Sequence, residues 1–131
     1  MFRSLLLPHT IRWGVATIYT AGVLVYLLQQ PGTPAVEVVA PVAAPDWQRE
    51  ITFTIGHILG FGGLFVVWWA ALHPHISQRA IISAVVIAMT VGILAEVLQS
   101  RIPDRNASLY DIAMNSIGIS LMALVTWRQH R

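Results

Sequence analysis

The sequence predicts an all-α protein, an integral membrane bundle of four transmembrane helices, and three observations carry that prediction. The 131 residues are 56% hydrophobic and only 11% charged, where soluble domains run at roughly a quarter charged. Four separate stretches are apolar over about 20 residues, the length a helix needs to cross a hydrocarbon core of about 30 Å. There is no cysteine, so no disulfide framework, thiol nucleophile or Cys-based metal site is available.

The predicted spans are residues 11–28, 52–72, 80–98 and 110–127, which together make one membrane domain over 1–131. The first begins with Arg12 after Arg3 and resembles a signal sequence at its start. Its apolar run exceeds the roughly 7 to 15 residues of such sequences, and Ala43-Ala44-Pro45 is a poor cleavage context, so it reads as a retained anchor. The connection at 29–51 carries Glu37, Asp46 and Glu50 and is broken by Pro31, Pro34, Pro41 and Pro45. A Pro-rich segment of this kind favours extended backbone over a packed domain. The second and third spans are the most apolar, and the fourth contains Asn115 and two serines.

All eight basic side chains are arginines. They are scattered at span ends as headgroup anchors, without the basic stripe or module that nucleic-acid binding requires. With both termini cytoplasmic, Arg3, Arg12, Arg79, Arg128 and Arg131 lie inside and Arg49, Arg101 and Arg105 outside, the bias that the positive-inside tendency prefers. Trp13, Trp68, Trp69 and Trp127 read as interface belts or packing. The His73-Pro74-His75 turn reads as a solvated loop rather than a metal site.

Antiparallel spans give the remaining polar residues a common address. The start of the second span, the end of the third and the start of the fourth lie at one membrane face, which gathers His57, Glu96, Gln99, Arg105, Asp111 and Asn115. Glu96 and Gln99 are three apart and Asp111 and Asn115 four apart, so each pair shares one side of its helix. Ionisable groups within apolar spans are costly and mark candidate sites. Small residues, Gly56, Gly60 and Gly63 on the second span, Gly92 with Ala88 and Ala84 on the third, and Gly118 on the fourth, are expected to let the backbones approach. The Gly56 to Gly60 spacing suits a dimer as readily as internal packing. Arg105 is placed to grip a carboxylate or a phosphate.

The spaced pattern Glu96-x2-Gln99-x3-Pro103-x-Arg105-x5-Asp111-x3-Asn115-x2-Gly118, with His57, Phe61 and Leu64 upstream, resembles the VanZ-like family of small bacterial membrane proteins over roughly residues 51–127. This chain has Phe53 and Thr54 where the family pattern has an acidic-Lys pair. The resemblance implies a multi-pass protein of the bacterial inner membrane, linked to teicoplanin resistance or envelope homeostasis.

Three readings of the polar set follow. The first is a binding or accessory protein that holds an envelope lipid or lipoglycopeptide-type ligand. The second is a small enzyme acting on a lipid-linked envelope precursor through His57, Glu96 and Asp111. The third is a structural clamp, in which Gln99 and Asn115 are interhelical hydrogen-bond glue and Asp111 caps the fourth helix. His-Glu-x2-His, Gly-x-Ser-x-Gly and Gly-x4-Gly-Lys motifs are absent, and no metal or cofactor is expected.

Overall fold

The computed structural model describes residues 8–29, 45–72, 77–102 and 107–129. They form four helices: α1 His9–Leu27, α2 Asp46–Leu72, α3 Ser77–Gln99 and α4 Leu109–Gln129. Each is long and apolar enough to cross a membrane, and the described residues contain no strand. Most of the Pro-rich connection, with Arg105, His73 and His75, lies outside the described residues.

Local chemistry sets where the helices begin. Pro8 and Pro45 precede α1 and α2, and their carbonyls accept the first amides of the turn, from Ile11 and Arg12 and from Gln48 and Arg49. A proline there sacrifices no hydrogen bond, because its missing N–H has no role in the ladder. Asp46 in the first turn of α2 favours the positive end of the helix dipole. These features start α2 six residues before the predicted span at 52, so residues 46–51 are helical rather than part of the connection. Over 27 residues α2 is about 40 Å long, and the exposed Trp47 rides on its overhanging turn.

Helix α2 is the centre of the bundle, packed most extensively on α4 and then on α3 and α1. The core runs through Phe61, Leu64 and Phe65 of α2, Ala84, Ala88 and Ala95 of α3, and Ile119 of α4. The large aliphatic residues Ile18, Leu59, Ile82 and Leu121 point outward. On α3 the inward residues are small and the bulky ones face outward, the arrangement expected where lipid replaces water. Hydroxyls of Thr17, Thr20, Thr90 and Ser116 donate to the carbonyl four residues before them, so none requires water.

Backbone approach between α2 and α4 depends on Gly118. A Cβ built there would sit on the Ile58 carbonyl oxygen, and a Cβ at Gly62 would meet Met122 Cγ at 3.2 Å and Gly118 O at 3.3 Å. Gly92 is close to Phe61 and Asn115, and Gly63 accommodates the Tyr19 ring. Gly56 and Gly60 differ from the expectation of close packing, since a Cβ at either meets nothing within 4 Å. At 100° per residue, Gly56, Gly60 and Gly63 share the side of α2 that looks toward α1, and Gly62 stands about 120° away toward α4.

Gly118→Ala is expected to cost about 1–3 kcal/mol through overpacking, net of any gain in helix propensity. Gly60→Ala should leave stability unchanged or slightly raised. Thermal unfolding of the detergent-solubilised variants checks both.

Candidate functional site

The described residues of the predicted polar set gather at one end of the bundle, where α1 and α3 finish and α2 and α4 begin. His57, Glu96, Gln99 and Asn115 are buried, with Glu96 only 1% exposed. The side that carries Glu96 is the buried stripe of α3, continuing through Gly92, Ala88 and Ala84. Within this end the side chains divide into two groups with different partners.

The first group serves helix termini. Gln99 Nε2 donates to the carbonyl of Leu27 at 2.8 Å, the last residue of α1, whose final four carbonyls have no partner within the helix. Glu96 Oε2 accepts the backbone N–H of Ser108 at 2.9 Å, the residue immediately before α4. Ser108 Oγ in turn accepts the Asp111 N–H at 3.3 Å. Ser108 is therefore the N-cap of α4, and Asp111 is not. In a capping box the acidic residue three positions on reaches back to the cap amide. Here Glu96 of α3 takes that amide, and the Asp111 carboxylate is turned elsewhere.

The second group centres on His57. Its Nδ1 lies 2.8 Å from Asn115 Oδ1, and its Nε2 faces Asp111 Oδ1 at 3.9 Å. The ring lies parallel to that of Phe61, one turn along α2, with centroids 6.3 Å apart. Just outside, the Thr54 and Tyr110 hydroxyls lie 3.2 Å apart and join the same two helices. Burial of the imidazole against Asn115 and Phe61 fixes its orientation while one edge stays directed at a carboxylate that is 29% exposed.

That histidine also lines a groove between α1 and α2 of about 330 Å³. Gly22, Tyr26 and Leu27 form one wall, and Phe53, Gly56, Gly60 and Phe61 form the other. Tyr19 closes its lower end by donating to the Gly60 carbonyl at 3.1 Å. The walls are apolar except at His57, Thr52 and the tyrosine hydroxyls. This is a mostly apolar cleft with a few polar groups, the general composition of sites that take an apolar body and orient a polar group.

Of the six predicted site residues, the structure brings His57, Asp111 and Asn115 into contact and directs Glu96 and Gln99 to helix ends. Arg105 lies outside the described residues, and Arg101 is exposed. The spacing argument missed the α1 wall of the groove and Ser108. The latter was readable as the Ser-x2-Asp signature of a helix start. Among the described residues no group of three His, Asp or Glu side chains is placed to hold a metal ion.

Glu96→Ala is expected to cost about 1–3 kcal/mol, because the Ser108 amide loses its acceptor. Asp111→Asn should fall within about 0.5 kcal/mol of wild type, as for substitutions away from buried networks. The unfolding temperatures of the two purified variants separate these expectations.

Comparison with protein-family models, with curated proteins and with solved structures finds no match to this chain. Its function is therefore argued from the geometry above.

Proposed function

We propose that the chain binds an amphiphile of the bacterial envelope, an envelope lipid or a lipoglycopeptide-type molecule. The ligand's apolar part lies in the α1–α2 groove and its polar head at the His57 and Asp111 end. One observation carries this reading: His57 belongs both to the wall of an apolar groove and to a polar cluster facing Asp111. A membrane protein with a mostly apolar cleft that meets a polar cluster at His57 is suited to a molecule with an apolar body and a polar head. The VanZ-like pattern adds teicoplanin, a lipoglycopeptide, as the drug to try. The arginine bias of five against three supports an outward-facing position for this end, where envelope precursors and such drugs are met.

A second reading draws on the approach of Asp111 to within 3.9 Å of His57, which puts a carboxylate and an imidazole on one reacting group as a general acid–base pair. In that reading the chain is a small enzyme acting on a lipid-linked envelope precursor. The two readings differ in one observable, the appearance of a product.

Cells expressing wild type, His57→Ala or Asp111→Asn at equal levels of folded protein are compared for teicoplanin susceptibility and for mass profiles of envelope lipids. Binding predicts reduced susceptibility with wild type, loss of that protection in both variants, and unchanged profiles. A mass-shifted species present only with wild type would make the protein an enzyme. Protection that survives in both variants would sink the assignment of the site.

A further inference from the structure

The α1–α2 groove has a definite length, and one side chain closes its lower end. Its lining runs from Thr52 to Phe61 on α2 and from Tyr19 to Leu27 on α1, spans of about 13.5 Å and about 12 Å at the helical rise of about 1.5 Å per residue. The Tyr19 ring fills the place where Gly63 lacks a side chain, and its hydroxyl donates to the Gly60 carbonyl at 3.1 Å. Further down α1, Ala16 is fully buried, so the two helices leave no room beneath the tyrosine. Above it the walls are bare: a Cβ at Gly22, Gly56 or Gly60 meets nothing within 4 Å.

The open side of the groove faces hydrocarbon. Ile18 and Val25 of α1 and Ile55 and Leu59 of α2 are exposed, and at 100° per residue they flank the groove on the side away from Leu27, His57 and Phe61, which look into the bundle. Both helices are long and apolar enough to cross a membrane, where lipid tails surround such a face. A chain that enters the groove exchanges one hydrocarbon contact for another and gains little from burial itself. What separates one chain from another is how far it runs before Tyr19 stops it.

A saturated chain advances about 1.25 Å per carbon, from C–C bonds of about 1.5 Å meeting at about 111°. The groove length then corresponds to about ten carbons. Its volume of about 330 Å³ lies at the lower end of the range for small-molecule sites, in keeping with a single chain. We infer that Tyr19 sets the length of the ligand's apolar part: the groove takes one unbranched chain of about ten carbons, and the tyrosine ring ends it. The inference rests on the binding reading above and assigns the hydrocarbon part of the ligand. Without the ring, the space in front of Gly63 joins the groove and adds three residues of α2, about 4.5 Å or about four carbons.

The test is native mass spectrometry of the purified full chain in a steroid-based detergent, which has no alkyl chain to compete. The probes are an equimolar series of lysophosphatidylethanolamines with saturated chains of about 6 to about 16 carbons, bracketing the groove length. Retention at each length is divided by that of the double variant Gly56→Leu with Gly60→Leu, whose groove is filled from two positions with free space, so that partition into detergent cancels. For wild type the ratio is expected to rise up to about ten carbons and no further. Tyr19→Ala should move that break upward by about four carbons. Tyr19→Leu, which keeps an apolar side chain on α1 and carries the test if the alanine variant does not fold, should move it in the same direction. Gly60→Leu alone raises the floor of the groove and should move the break downward. A break that stays put in these variants, or a wild-type ratio that climbs through the whole series, overturns the inference. A ratio that stays at unity for every length removes the groove from ligand binding, which is failure of the underlying reading and is distinct from failure of the role given to Tyr19.

Discussion

A helix that stops near a membrane surface leaves amides or carbonyls unpaired, and lipid offers them nothing in return. The last turn of α3 meets this constraint for both of its neighbours. Gln99 reaches the carbonyl that ends α1, and Glu96 takes the amide that precedes α4. Two residues three apart on one helix therefore fix where two others end and begin. The rest of the polar end follows, because the start of α4 sets the height of Asp111 and Asn115 relative to His57.

Satisfying the cap from another helix has a chemical result. Had Asp111 closed its own capping box, its carboxylate would have turned back onto the backbone and away from α2. With Glu96 in that role, Asp111 is left pointing at the imidazole at 3.9 Å. A structural requirement met by one residue thus leaves another facing the imidazole. The clamp and the proposed site are adjacent parts of one arrangement.

The four spans and the common address of the polar residues were legible because both follow from apolar length and the number of crossings. Boundaries were less so, since the overhanging turn at residues 46–51 is polar and depends on Pro45 and Asp46 rather than on hydropathy. The partners of Glu96 and Gln99 were not legible, because a backbone group becomes a partner only once helix ends have been positioned. Glycine spacing told which residues of α2 share a side, without telling whether that side is filled. Gly62, outside the chosen stripe, makes the contact with α4, while Gly56 and Gly60 border open space. The α1 wall was invisible for a similar reason: Tyr19, Gly22 and Tyr26 are ordinary residues for a membrane span until α2 lies beside them.

Tyr19 docks where Gly63 has no side chain and bonds the Gly60 carbonyl, and above it the two helices leave the groove between them. The depth of that cleft is consequently set by side chains on α1 and by missing side chains on α2. The backbone contact that holds α2 against α4 lies on a different side of α2. Substitutions along the cleft can therefore reshape it without loosening the three-helix body, so cleft shape and foldedness are separately adjustable in this chain.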